Sequence, residues 1–308
     1  MPRVSILLTC YNHLRYLPAA LDGILSQTFP DYEILALDDG SKDGSREWLK
    51  DREAEGKLRC IFNEQNLGTY ATLNVGLKEA KGEFIAVLND DDLWGADKLL
   101  RQVELMDANP KIGLVHTGGW FIDGDGNRIA DSKPLGFEFP RTHTGDILAT
   151  EIHFNHIITS SALVRRECFE KQGPFDPSFY GCGDWHMWLR IAREWHVGYV
   201  DEPLTFYRVH GKNASLDSEK MDEDGTRIRE WITAWQKDFE PRFPAEPDLR
   251  GAFAHNWACL GTTYTWAGEP AKGRHAYSES LKVLPGRFKS RLRWLATFLP
   301  RKAFRRLS

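Results

Sequence analysis

Cysteine is scarce: five in 308 residues, with no C-x-x-C pair among them. Cys10, Cys60, Cys168, Cys182 and Cys259 are scattered and odd in number, which argues against a disulfide scaffold or a zinc site and favours a reducing compartment. A run of about 18 apolar residues is also missing, so no membrane-spanning helix is expected. No leader is expected either, because the chain enters the strand-like R-V-S-I-L-L-T almost at once. The following turn, T-C-Y-N-H, has no glycine, whereas a dinucleotide fingerprint needs G-x-G-x-x-G there; a hydride-transferring Rossmann enzyme is therefore set aside. Acidic residues are absent from Arg287 to Ser308, where eight Lys/Arg stand. The rest carries 32 basic against 44 acidic residues. An acidic body argues against a nucleic-acid partner, and the basic end needs its own explanation. The expected location is cytoplasmic.

The most informative stretch that is present is V-L-N-D-D-D-L-W, Val87 to Trp94, an apolar run ending in three carboxylates. Adjacent carboxylates repel one another, and a hard divalent cation held by oxygen ligands compensates them most directly. The competing structural reading is an Asp-rich turn that caps a helix starting near Ala96.

The first hundred residues alternate strand and helix. Strands are expected at Val4–Thr9, Tyr32–Leu37, Leu58–Phe62 and Phe84–Leu88. Helices are expected at Tyr16–Leu25, from Asp43 with Asp43 or Ser45 as cap, and at Thr69–Ala80 with Gly82 after it. This order implies a largely parallel, helix-covered sheet with its ligand edge at the strand C-termini. That edge carries Thr9 to Asn12, Asp38-Asp39 and Asn89 to Asp92. An aromatic ring, hydroxyls and an acid on the next strand suit a stacked, hydrogen-bonded base. Residues 113–210 read as shorter strands and hairpins, with a turn at Asp123–Asn127, a helix from Asp184, and strands near 197–200 and 204–210.

Residues 1 to about 215 resemble the family-2 glycosyltransferases, inverting enzymes of the GT-A fold. The resemblance rests on six blocks in the family's order. They are V-S-I-L-L-T-C-Y-N, S-Q-T-F-P-D-Y-E-I-L-A-L-D-D-G-S-K-D-G-S, N-L-G-T-Y-A-T-L-N-V-G-L-K-E-A-K-G-E-F, L-N-D-D-D-L-W, G-P-F-D-P-S-F-Y-G-C-G-D-W-H-M-W-L-R and Y-R-V-H-G-K-N-A-S. The expected fold is α/β, a Rossmann-like, mostly parallel sheet flanked by helices (domain 1–215), with a C-terminal α-helical region (216–308).

The resemblance implies a nucleoside-diphosphate sugar donor, with a UDP-sugar favoured, and Mn²⁺ or Mg²⁺ acting as Lewis acid on the diphosphate. Asp91 aligns with the metal-binding Asp of the family's D-x-D-D pattern, and Asn89 replaces the first Asp, where it can still reach a ribose hydroxyl. In the alternative register Asp90 serves the ribose and Asp92 shares the metal. Asp39 matches the acid used on the uracil imide, with Thr9 and Tyr11 framing the base. Asn66, Gly68 and Asn74 match nucleotide-site positions. Asp184 falls where the family carries its general base, although an N-cap role competes, and glycines precede it to let backbone approach the sugar. Trp185 could offer a sugar-stacking face or simply be core; His186 stands where a second acid is frequent. His210 matches a metal- or diphosphate-contacting histidine, with Arg208 as added positive charge. His156, with His153, Asn155 and Thr159, lies on the expected acceptor side.

Beyond the acidic stretch Asp217–Asp224, expected to be a linker or lid, apolar spacing turns helical. Trp257, Leu260, Gly261, Tyr264, Tyr277 and Pro285 fit one tetratricopeptide unit, giving a helical hairpin over about 254–286. Residues 287–308 interleave Phe288, Leu292, Leu295 and Leu299 with basic side chains, as an interfacial helix broken at Pro300 does. That segment either contacts a membrane or packs its apolar side on the hairpin. The expected activity is metal-dependent, inverting transfer of a sugar to a hydroxyl of a glycan or lipid-linked glycan. The competing readings are a catalytically altered nucleotide-sugar-binding protein acting through its helical tail, and a nucleotidyltransferase, which would need a Gly-rich basic loop after its first strand.

Overall fold

The computed structural model describes residues 1–131, 133–300 and 304. The chain divides into two compact units, Met1–Ile147 with His156–Asp217, and Leu148–Asn155 with Ser218–Ser308. The first unit opens with the expected alternation: β1 (Val4–Cys10), α1 (Leu17–Leu25), β2 (Tyr32–Asp38), α2 (Ser45–Ala54), β3 (Arg59–Phe62), α3 (Thr69–Glu79) and β4 (Phe84–Asn89). The α1 spacing has a plain cause: Leu17, Ala20, Leu21 and Ile24 share one buried face, and Pro18 suits the first turn. Helices on both faces bury β1 and β4 almost throughout, which is why their sequences are continuous apolar runs. Gly82 ends the crossover because a side chain there would collide with the backbone at Val4 and Ser5.

The chain continues through β5 (Leu93–Trp94), α4 (Lys98–Ala108), β6 (Ile112–Ile122), α5 (Leu148–His153), β7 (Leu163–Arg165), α6 (Arg166–Gln172), α7 (Gly183–Ala192) and β8 (His196–Arg208). The eight strands form one sheet in the order β3-β2-β1-β4-β7-β6-β8-β5. β3, β2, β1 and β4 run parallel, and β7 and β5 are the antiparallel members. The expectation of short strands and hairpins after residue 113 is corrected here. β6 and β8 are long and parallel to each other, and the two strands expected near 197–200 and 204–210 are one. Pro203 and Gly118-Gly119 made the sequence look broken, but the register shifts at Gly118 absorb both interruptions. The Asp123–Asn127 turn is present, followed only by the single bridge of Ile122 with Arg128.

The second unit contains α5 with α8 (Ser218–Phe239), α9 (Pro247–Ala267), α10 (Pro270–Val283) and α11 (Phe288–Ala296). Residues 218–224, read as linker or lid, are the first two turns of α8. A stripe of Asp224, Ile228, Ile232, Trp235 and Phe239 buries that helix, and the acidic residues before Asp224 are on its more exposed side. Gly268-Glu269 joins α9 to α10, and the two pack closely because their contact residues are small. A Cβ at Gly261 would enter the Tyr277 ring, one at Gly273 would strike Thr265, and the Ser280 hydroxyl donates to the Ala254 carbonyl. The distal basic residues Arg301, Lys302, Arg305 and Arg306 lie outside the described residues. Among the described residues no helix is long and apolar enough to cross a membrane.

Candidate active site

The C-terminal ends of β1, β2 and β4 lie side by side, with Thr9 paired to Leu37 and Asn89, and Cys10 to Asp38. A parallel sheet therefore assembles three loops distant in sequence at one edge. After β4 the chain turns at once, with the Asp92 amide donating to the Asn89 carbonyl, and enters β5. The Asp triplet is thus a strand-to-strand bend. The helix-capping reading is corrected: α4 starts only at Lys98, and its N-cap position is Asp97.

The three carboxylates have three different surroundings. Asp90 is buried; its oxygens take the Tyr11 amide at 3.0 Å and the His13 imidazole at 2.8 Å. Burial pushes the Asp90 carboxyl up and the His13 hydrogen bond opposes that, while the same bond raises His13. Asp92 is fully buried, with Ser160 donating to one oxygen and the Arg208 amide donating to the other at 2.9 Å. Its carboxyl is driven well above the usual range by burial first and by the Asp91 charge second. Asp91 faces His210, Oδ2 to Nε2 3.1 Å, and both side chains keep some exposure, 14 and 9%. Asp91 and His210 are the open pair; Asp92 is committed inside the protein, which disfavours the register in which it shares a metal.

Arg208 is buried as well. Its Nε donates to the Asp91 carbonyl at 2.7 Å and its Nη1 to the Asp123 carbonyl at 2.8 Å, while the guanidinium lies 4.7 Å from the Tyr16 ring centroid. It clamps two loops together through these carbonyls. His13, Tyr16 and His210 form an aromatic group, His210 lying 5.3 Å from the His13 ring and 5.2 Å from Tyr16.

At the neighbouring loop, Asp39 accepts from the Leu67 and Gly68 amides and from the Asn63 amide group, at 2.8 to 2.9 Å. A carboxylate has about four lone-pair positions, so one acceptor direction remains on Oδ2. Gly40 sits at φ +77° with the Gln65-Asn66 backbone against it, which brings the loop down onto Asp39. Tyr11 is 44% exposed and presents an open ring, whereas the Asn89 side-chain oxygen is taken by the Thr9 hydroxyl at 3.1 Å. Asn66 is exposed in the same loop. Asn74 is not at this site. Both ends of its amide bind the Phe175 backbone, at 2.8 and 2.9 Å, so it pins the G-P-F-D loop instead.

Asp184 is the second residue of α7, and Cys182 is the N-cap, which corrects the N-cap reading for Asp184. Thr159 donates to its Oδ2 at 2.7 Å, and the Trp185 amide to Oδ1 at 2.7 Å. The Tyr70 hydroxyl is 3.5 Å from Oδ1. Gly183 is needed because a Cβ there would come within 2.7 Å of the Tyr70 ring; the close approach is made by tyrosine, where a sugar had been expected. Tyr207 is raised chiefly by burial, and the charges of Asp92, Asp91 and Asp184 add to it. Trp185 and His186 are both buried in α7, His186 against Phe179 at 5.0 Å, so neither offers an open stacking face. His156 belongs to the first unit near His116, while His153 is in the second unit, its ring stacked 4.7 Å from His255.

Sequence reasoning passed over His13, Asn63, Ser160 and Tyr70. The signal for His13 was electrostatic: three adjacent carboxylates need partners, and T-C-Y-N-H supplies one at the neighbouring strand end.

Comparisons with known proteins place the chain in a family. Residues 5–173 match the model of Glycosyl transferase family 2. An uncharacterized glycosyltransferase of Nostoc sp. is 32% identical over 224 residues, 70% of this chain and 67% of that one. The structure of S. aureus TarS 1–349 in complex with UDP-GlcNAc superposes with a TM-score of 0.71 at 16% identity, covering 99% of this chain and 90% of that one. A mannosyltransferase from Pyrobaculum calidifontis in complex with GDP-Man and Mn²⁺ gives 0.61 at 19% identity, covering 99% and 84%. At such identities the structural likeness is one of fold. Sheet order, strand-end site and family match converge: the chain belongs to glycosyl transferase family 2, with the GT-A fold, and is a glycosyltransferase.

Proposed function

We propose that the enzyme transfers a sugar from a nucleoside-diphosphate sugar, with UDP-sugars preferred, to a hydroxyl of a glycan or lipid-linked glycan, inverting the anomeric centre. The observation that carries this reading is the open Asp91–His210 pair beside the Asp39 loop. Uracil would stack on Tyr11 and give its imide N–H to the free acceptor direction of Asp39. The two relatives solved with UDP-GlcNAc and with GDP-Man and Mn²⁺ support a nucleotide-sugar donor.

Asp91 and His210 fit a divalent cation: one oxygen and one nitrogen donor converge, and coordination positions remain for diphosphate and water. When bound, Mn²⁺ or Mg²⁺ supplies Lewis-acid stabilisation of the departing diphosphate. Asp184 takes the proton of the acceptor hydroxyl while that oxygen bonds to the anomeric carbon and the carbon–phosphate oxygen bond breaks. Thr159 holds the carboxylate in place, and His13 ties the Asp90 side chain to the loop after the first strand. The cytoplasmic location fits five free cysteines, and contact with a membrane surface through residues 287–308 suits a lipid-linked acceptor.

Release of nucleoside diphosphate from a panel of nucleotide sugars, with Mn²⁺, Mg²⁺ or chelator, tests the reading. Turnover of a UDP-sugar that chelator abolishes is expected. Metal-independent turnover, or none with any donor, would overturn it.

A further inference from the structure

The last described helix is mounted inside out. In α11 and the turn after it, Phe288, Leu292, Leu295, Phe298 and Leu299 are between 45 and 67% exposed. The side facing the helical hairpin carries Ser290, Trp294 and Ala296, which with Phe304 beyond them pack on Ala258 and Tyr277. Ser290 lies 3.0 Å from Ser280, hydroxyl to hydroxyl, the Trp294 indole N–H donates to Ser278 at 3.1 Å, and Ala296 is buried. The sequence alternative in which Phe288, Leu292, Leu295 and Leu299 pack on the hairpin is thereby corrected; Trp294, Ala296 and Phe304 fill that contact. A marginally stable unit gains nothing from turning five large apolar residues to water, so such a stripe marks a contact surface.

We infer that this stripe is a docking face for an anionic lipid surface. At about 100° per residue, Lys289 and Arg291 fall on the two flanks of the Phe288–Leu292–Leu295 line. Both are exposed there, Arg291 also donating to the Pro285 carbonyl at 2.8 Å, and their charge complements lipid phosphates. No acidic residue occurs from 287 to 308, so the same face of a second copy would meet like charge. The stripe comes from a single helix and is convex, which suits a deformable headgroup layer. This deepens the membrane contact put forward above and rests on it, independently of which sugar is moved.

The test is flotation of the full chain with vesicles of phosphatidylcholine alone and of phosphatidylcholine mixed with phosphatidylglycerol. Binding is expected only to the mixed vesicles and weakens with added salt. Leu292→Gln with Leu295→Gln lowers the partition coefficient on the order of tenfold or more. Lys289→Gln with Arg291→Gln lowers it roughly fivefold per charge at low salt. All four positions are on the surface, and unchanged thermal melting verifies folding of both variants. Failure of the wild type to bind mixed vesicles, or equal binding by the leucine variant, would overturn the inference. So would a concentration-dependent dimer that the leucine variant abolishes, because the face would then belong to a second copy. Donor turnover in vesicle-free solution is followed on the same preparations; its absence counts against the proposed reaction, and the vesicle result still decides the face.

Discussion

Asp91 Oδ2 and His210 Nε2 lie 3.1 Å apart although 119 residues separate them in the chain. The contact exists because β5 pairs with the end of β8, Leu93 with Phe206, and so draws the loop after β8 beside the turn after β4. The Arg208 clamp on the Asp91 carbonyl holds that register. If the pair binds the metal, Asp91→Asn and His210→Ala should each lower kcat/KM by roughly 10²- to 10³-fold. Calorimetric Mn²⁺ titration in the presence of UDP should show the matching loss of affinity; unchanged metal binding in both variants would remove the assignment.

Asp184→Asn keeps the shape of the side chain and removes its basicity. The expected outcome is a kcat lower by roughly 10²- to 10⁴-fold with donor affinity unchanged. Stopped-flow or discontinuous assays of diphosphate release, alongside equilibrium binding of the donor, separate the two. Thr159→Val should give a smaller loss in kcat, since it leaves the carboxylate but frees its orientation.

Asp92 is a buried acid whose proton affinity is raised by its surroundings, whereas Asp91 is partly exposed beside His210. An acid with a raised folded pKa binds protons more tightly folded than unfolded, so its contribution to stability declines as pH rises above the unfolded value. Asp92→Asn should therefore match or exceed the wild type in thermal stability at pH 7. Asp92→Ala, which orphans Ser160 and the Arg208 amide, should lose about 1–3 kcal/mol. A melting temperature lowered by both substitutions to the same extent would contradict this account.

His116 is fully buried beside Thr142, and desolvation pushes its imidazole down to about 3. The unfolded chain therefore takes up a proton that the folded chain refuses. Stability from this residue is complete above an unfolded pKa of about 6.5 and is lost as pH falls below it. At pH 5 the loss is about 2 kcal/mol, at about 1.36 kcal/mol per unit. Urea melts of wild type and His116→Gln at pH 7 and pH 5 should show a smaller pH dependence in the variant.

Gly183→Ala places a methyl group 2.7 Å from the Tyr70 ring, next to Asp184. A cost of about 1–3 kcal/mol in stability is expected, together with a lower kcat, because the helix start must shift. Retained activity in a destabilised protein would separate the packing role of Gly183 from the site.

Much of the first unit was legible because its signals are local. Buried parallel strands read as apolar runs, and a helix that packs on a sheet shows its stripe, as Leu17 to Ile24 do. The interruption at Pro203 misled because a bulge can be recognised only from the partner strand, here Gly118-Gly119. The acidic start of α8 misled for a related reason, since its burial begins only at Asp224 and continues through Ile228 and Ile232.

From sequence alone came the strand–helix order, the edge at which the carboxylates gather, and the family to which the chain belongs. These follow from periodicity and from residue types that stay together along the chain. Only the tertiary structure separated three adjacent aspartates into one bonded to His13, one open toward His210 and one sealed under Ser160. It also turned Asn74 onto Phe175, and the stripe of α11 away from the hairpin. The physical reason is the same in each case: charge, solvent and hydrogen-bond partner depend on side chains brought from distant segments, and a linear string does not record which of them arrive.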